Sequence, residues 1–400
     1  MVDTPSSPRD CRPTLPVALG SGAPLRIRWD ACLPYRYAAL DCQRCVDACP
    51  TQALRQTAKG PELRGECLAC GRCVPVCPTD ALEVPGFAPV PTERTADQWP
   101  LAIDCWRVPV PESPRGAWRV PCLGGLSSAD LAELTACVAP DQGPVLLERG
   151  FCARCPAGDP IETELNGFPA QAVLREVQDL LGALGLAPRA WPRRLAMPLS
   201  PDRMQAPSAP LLEERVSRRG LFTGRIDAAR SAARSGTADA TPFTGTHGTT
   251  PTDGPSRRQR LLAALTNLAG PGISLPNRLY PQLQANAACA GHGVCVSVCP
   301  TGALQGYTDG QGWGLRFEPA ACTACHLCAR LCPEQALHLA SAADQDATAA
   351  RPRRLTRHQT RRCDECGAEH LAADVLCPAC RADQDFARSA FHTFLGRRAG

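Results

Sequence analysis

The sequence predicts an α+β chain made of several small modules, each organised around cysteine. Three observations predict it. The 400 residues include 25 cysteines, and most fall in tight groups. A short string that closes such a group recurs four times: CPTQAL at 49–54, CPTDAL at 77–82, CPTGAL at 299–304 and CPEQAL at 332–337. Between the two pairs of strings, short apolar runs alternate with a helical period. At 44% hydrophobic and 20% charged residues the chain can bury packed cores, so wholesale disorder is excluded. A net charge of +4 is too slight to argue for a nucleic-acid partner. No run approaches the roughly 20 apolar residues of a membrane helix. The opening, MVDTPSSPRDCRPTLPV, lacks the apolar stretch of a secretory signal. The expectation is therefore a cytoplasmic protein with no membrane partner. There, abundant cysteine means metal or redox chemistry rather than disulfides.

The first module is expected at 29–92. Cys67-x2-Cys70-x2-Cys73-x3-Cys77-Pro78 is a complete run. Three thiolates three residues apart on a tight loop can reach three corners of one iron–sulfur cube, and the loop can aim backbone N–H groups at the sulfurs. The fourth cysteine faces away across a short turn, and the proline, with its fixed φ, sets the exit direction. Zinc usually takes two CxxC pairs and not a triple run. Cys42-x2-Cys45-x3-Cys49-Pro50 lacks its first member, since position 39 is Ala39. Cys32, ten residues before Cys42, can loop back to replace it. The alternative is a three-iron cluster with Cys32 as a buried apolar residue.

A second module is expected at 257–345. It opens with the amphipathic helix RRQRLLAALTNLA (257–269) and contains the complete run Cys322-x2-Cys325-x2-Cys328-x3-Cys332-Pro333. Its partner run has Cys289, Cys295 and Cys299, with His292 where the second cysteine would stand. Three readings stay open: imidazole on iron, which in Rieske centres raises the potential, a three-iron cluster, or a histidine that only hydrogen-bonds a sulfur. Between the runs, GYTDGQGWGLRF reads as a hairpin with a glycine-rich turn.

These runs resemble the bacterial-type two-[4Fe-4S] ferredoxin family over roughly 29–92 and 280–342. CLPYRYAALDCQRCVDACP also resembles the first motif of some bacterial accessory ferredoxins, which place a cysteine well upstream. The resemblance implies two ferredoxin-like dicluster modules in which the fourth ligands are exchanged. Cluster I would take Cys32, Cys42, Cys45 and Cys77; cluster II, Cys67, Cys70, Cys73 and Cys49. Cluster III would take Cys289, Cys295 and Cys332, with His292 optional; cluster IV, Cys322, Cys325, Cys328 and Cys299. That makes up to four [4Fe-4S] clusters, one of which could be [3Fe-4S].

The intervening stretch, 98–187, reads as a small α/β domain. LAIDC (101–105), RVPC (119–122) and GPVLLERG (143–150) are candidate strands. SSADLAELTACVA (127–139) is a candidate helix with a serine N-cap, and PAQAVLREVQDLLGALGL (169–186) another. Cys105, Cys122 and the Cys152/Cys155 pair fall at strand ends, where ligands tend to collect. The layout loosely resembles the cysteine domain of hydrogenase- and heterodisulfide-reductase-linked delta subunits. That resemblance implies a further iron–sulfur centre, with [2Fe-2S] as one form. Zinc, a CxxC redox pair or core cysteines are the competing readings. Cys137 reads as a packed thiol, and Cys11 has no assigned role.

Residues 188–256 read as a flexible linker, above all TADATPFTGTHGTTPTDGPS (237–256). Within it, VSRRGLFTGR (216–225) resembles the start of the accessory ferredoxin of periplasmic nitrate reductase systems, which would make it a docking segment; a solvated charged stretch is the plain alternative. The basic run RPRRLTRHQTRR (351–362) reads as a solvated linker. The tail, 360–385, holds Cys363-x2-Cys366-x10-Cys377-x2-Cys380, the spacing of tetrahedral zinc, and resembles zinc-ribbon modules. Rubredoxin-type iron is the alternative there.

No dinucleotide fingerprint, P-loop or nucleophile motif is present in the sequence. Together the resemblances imply an electron-transfer protein without catalytic activity of its own. It would serve a redox partner such as a molybdenum enzyme or a hydrogenase-type complex. Two other classes stay open: a maturation factor for a metalloenzyme, and an enzyme using an open iron at cluster III.

Overall fold

The computed structural model describes residues 25–37, 40–57, 59–84, 87, 101–138, 142–158, 167–204, 255–310, 312–340, 349–371 and 375–395. Cys11, Ala39 and the VSRRGLFTGR motif lie outside them. The chain divides into two compact units, the second beginning at Arg258.

In the first unit, β1 (Arg26–Ile27) is followed by the short helices α1 (Leu33–Arg36) and α2 (Arg44–Asp47). An antiparallel hairpin, β2 (Leu54–Thr57) and β3 (Gly60–Leu63), comes next, and β4 (Leu82–Glu83) returns to pair with β1. Strands this short cannot bury a core on their own. Cys45 instead packs with Leu25, Leu54, Ala69, Leu82 and Val84, so a metal-ligand candidate is part of the hydrophobic core.

The α/β layer that follows is a parallel sheet in the order β6-β5-β7-β8. The strands are β5 (Ala102–Cys105), β6 (Trp118–Val120), β7 (Val145–Glu148) and β8 (Arg193–Ala196). Parallel neighbours need crossovers, and helices α3 (Ser128–Cys137) and α4 (Gln171–Ala183) supply two of them. Ser127 starts α3 with a capping box: its Oγ accepts from the Asp130 N–H, and the Asp130 carboxylate accepts from the Ser127 N–H. Ile103, Val120, Leu131, Leu146 and Leu181 are fully buried between sheet and helices.

Two expectations change here. The segment from 188 is not linker at its start, because β8 pairs in parallel with β7 along its whole length. Its sequence, RRLA, is mostly exposed and so carries no apolar alternation; an edge strand needs only backbone pairing. Cys137 is exposed at the last turn of α3 rather than packed.

The second unit starts one residue into α5 (Arg257–Ala269). It repeats the plan of the first module. β9 (Gln282–Ala285) pairs antiparallel with β12 (Leu337–Ala340), and the hairpin β10 (Leu304–Thr308) with β11 (Trp313–Phe317) lies between them in sequence. Short helices α6 (Val294–Val298) and α7 (Leu327–Arg330) each carry the third cysteine of a run. Leu283, Leu304, Leu315, Phe317 and Leu337 form the core.

The basic run at 351–362 is not a solvated linker. It folds as β13 (Arg353–His358), which joins β11 antiparallel, and β14 (Thr360–Arg362), which pairs with β15 (Glu369–Leu371). The arginines are accommodated because their guanidinium groups lie over rings: Arg353 at 5.8 Å from Phe317 and Arg354 at 4.6 Å from Tyr307. Helix α8 (Pro378–Leu395) closes the described chain. No helix among the described residues is long and apolar enough to cross a membrane.

Leu146, in β7 of the parallel sheet, is fully buried. Leu146→Ala is expected to cost about 2–5 kcal/mol. Hydrogen exchange should show faster opening of β5 and β7 amides, with amides of the second unit unchanged.

Candidate metal centres

Three loops share one backbone shape. The residues on either side of the second ligand position have left-handed φ: Ala69 (52°) and Gly71 (79°), Ala324 (51°) and His326 (62°), Gly291 (74°) and Gly293 (72°). A non-glycine residue held there costs roughly 1–2 kcal/mol, so the loop shape is maintained against local preference. It turns N–H groups inward, and the Ala69 N–H reaches Cys67 Sγ at 3.4 Å. His292 therefore occupies the same backbone position as Cys70 and Cys325, and its side chain is exposed.

The four Cys-Pro turns share a second shape. Gln52, Asp80, Gly302 and Gln335, each three residues after the cysteine, have φ of 52°, 53°, 67° and 47°. The N–H groups of Ala81 and Ala336 donate to Cys77 and Cys332 Sγ, each at 3.3 Å. At Cys49, burial alone would raise the thiol. The N–H groups of Leu54, Ala53 and Thr51 and the Thr51 hydroxyl outweigh it and lower the pKa.

The thiols that repel one another define the groups. Cys45 is pushed up to about 12 by burial and by the charges of Cys77, Cys42 and Cys32. Buried Cys32, raised first by burial, also feels Cys77 and Cys42. Cys73 is pushed up by burial and by Cys70, Cys45, Cys67 and Cys49. In the second unit, Cys295 is raised to about 11 by burial, Cys289 and Cys332. Cys328 is raised to about 12 by burial, Cys325, Cys299, Cys322 and Cys295. Cys45 with Cys73, and Cys295 with Cys328, connect the two groups of each module. All of these are free thiols. Thiols whose ionisation is opposed by burial and by one another are a donor set suited to cationic metal.

One residue near these thiols was not anticipated from the sequence. His358, the last residue of β13, places Nε2 3.6 Å from Cys289 Sγ. Sixty-nine residues separate them in the chain, and no local motif signals the contact.

The middle domain brings its four cysteines together. Cys105 ends β5, Cys122 follows β6, and Cys152 and Cys155 follow β7, all at the carboxyl ends of parallel strands. They line one cavity of about 300 Å³ together with Cys70 of the first module, Arg107 and Phe151. Cys122 is pushed well above its usual value by burial and then by Cys70, Cys105 and Cys152. Cys152 is raised to about 12 by burial, Cys105, Glu148 and Cys155.

Three contacts fix this arrangement. The Arg72 guanidinium donates to the Ala157 and Gly158 carbonyls, each at 3.1 Å, tying the Cys70 loop to the CxxC loop. Gly158 is required there, since a Cβ would sit 1.7 Å from the Cys152 carbonyl oxygen. Below the cavity, buried Asp104 and Arg149 form a two-bond pair at 2.5 and 3.2 Å, joining the ends of β5 and β7. The Ser113 hydroxyl adds a third bond to Asp104 at 2.9 Å.

In the tail, the Sγ atoms of Cys363, Cys366, Cys377 and Cys380 lie within 4.8 Å of one another, which suits one tetrahedral ion. The first pair sits between β14 and β15, and the second at the start of α8. N–H groups of Cys366 and Cys377 lower Cys363 to about 6.

Residues 39–86 match the family model of the LdpA Fe-S cluster-binding domain. The matched stretch contains Cys42, Cys45, Cys49, Cys67, Cys70, Cys73 and Cys77 and marks the chain as an iron–sulfur protein. No curated protein matches the chain.

Removing one partner of the Asp104–Arg149 pair leaves a buried charge alone. Arg149→Met is expected to destabilise the layer by about 3–5 kcal/mol. Pairing it with Asp104→Leu should restore most of that, measured by chemical denaturation.

Proposed function

We propose that this protein is a ferredoxin-type electron-transfer protein. It would hold four cubane sites, one of them a [3Fe-4S] or histidine-modified site, together with a structural zinc in the tail and a fifth iron–sulfur site in the middle cavity. One observation carries the reading: in the first unit the thiol groups form an unbroken series. Cys73 packs against the core cluster that contains Cys45, and Cys70 lines the same cavity as Cys122. When bound, iron–sulfur clusters supply one-electron transfer at potentials set by ligation, hydrogen bonding and burial. This chain's residues would hold the thiolates, direct N–H groups at them and keep water away. The middle cavity, open on one side and lined by Arg107, is the best candidate for the face offered to a redox partner. The partner would be an oxidoreductase whose own centre exchanges single electrons, a molybdenum enzyme or hydrogenase-type complex being the proposed class. A cytoplasmic setting fits free thiols at every described cysteine.

Metal and sulfide analysis of anaerobically purified protein tests the reading. Four cubanes require about 16 irons and matching sulfide, and the tail one zinc. A fifth centre should add about two to four irons, lost selectively in Cys122→Ser/Cys152→Ser protein. Iron far below 16 after reconstitution, with zinc in excess, would overturn the electron-transfer reading.

A further inference from the structure

The third site has three cysteines, Cys289, Cys295 and Cys332, and a histidine at its second position. The feature that sets it apart is a different histidine. His358 reaches it from outside the cysteine runs, with Nε2 3.6 Å from Cys289 Sγ.

Several elements hold that ring in place. In the β11–β13 ladder His358 stands opposite Trp313, with ring centroids 6.0 Å apart. The cluster loop lies against the ring's other surroundings at Gly291, where a Cβ would come within 3.3 Å of His358 Cδ2 and 2.5 Å of Leu371 Cδ1. Only glycine, already at φ 74°, lets the loop approach this closely. Beyond His358 the chain enters β14 and reaches Cys363 five residues later, so the tail metal site anchors the strand that carries the imidazole.

The chemistry fixes the direction of the contact. A metal-bound thiolate has no proton and only accepts, so the proton must be on Nε2. The spacing is that of a hydrogen bond to sulfur. Two ligand atoms on different irons of a cubane would stand farther apart.

We infer that His358 is the histidine that tunes the third centre, by donating an Nε2–H···S hydrogen bond to Cys289. The inference rests on Cys289, Cys295 and Cys332 holding a cluster and is independent of whether His292 binds iron. It makes strand β13 part of the redox site. A hydrogen bond to a ligating sulfur favours the more negative, reduced state, so His358 raises the potential of this centre.

The test is an EPR-monitored redox titration of full-length, anaerobically purified protein, with iron counted in parallel. His358→Ala should retain the wild-type iron content and shift the reduction equilibrium of the third centre against reduction about tenfold, which is about 59 mV for one electron. His358→Gln, which keeps an N–H donor, should recover part of the shift. HYSCORE in a His292→Ala background, with 15N-histidine, should show a weak histidine coupling that disappears in the His358→Ala double variant. An unchanged potential in His358→Ala with iron retained would overturn the inference. So would absence of that weak coupling in the His292→Ala protein, which needs no change at His358. Loss of iron in His358→Ala, or a coupling of directly bound strength, would make His358 a ligand and also overturn it. If wild-type protein shows no third-centre signal and correspondingly less iron, the underlying cluster reading fails instead.

Discussion

Crowding of thiolates in low-dielectric surroundings is the constraint on which this structure depends. In the two modules and the middle cavity, burial and then neighbouring sulfurs raise Cys45, Cys73, Cys328 and Cys152, whereas backbone N–H donors bring Cys49 down. Such a group is unfavourable as free thiolate and favourable around cationic metal. The backbone is shaped to suit this. Left-handed residues on both sides of the second ligand position, and three residues into each Cys-Pro turn, aim N–H groups at sulfur in both modules. Because the last cysteine of each run joins the other group, neither half of a module is complete alone. Metal ligation, where the proposed clusters are bound, would stand in for the apolar burial that strands of two to five residues lack.

The middle domain reaches the same end by another route. Its cysteines are held by a parallel sheet whose strand ends converge, not by a tight loop. The sheet core is conventional, but the layer beneath the cavity is a buried ion pair between β5 and β7. A buried pair adds little net stability and is demanding in geometry. Here it aligns Cys105 with the loop carrying Cys152 and Cys155. Arg72, inside the cysteine run of the first module, then ties that loop to Cys70.

The second unit shows how a tail becomes part of a site. The arginine-rich run is polar enough to read as solvated chain, yet two of its guanidinium groups lie over Phe317 and Tyr307 and its backbone completes a three-stranded sheet. The strand then delivers His358 to Cys289 and, a few residues on, Cys363 to the tail site.

The cysteine runs were legible from sequence because their geometry is local: three-residue spacing and a following proline specify a loop with few conformations. The helices at 128–137, 171–183 and 257–269 were legible from periodicity and, for the first, from the Ser127 cap. Strand β8 was not, since an exposed edge strand carries no apolar pattern, and β13 was not, since its arginines mask one. Tertiary structure alone decided that Cys105, Cys122, Cys152 and Cys155 line one cavity, that Cys70 borders it, and that His358 meets Cys289 Sγ. These meetings depend on sheet order and strand register across tens of residues, which no local spacing encodes.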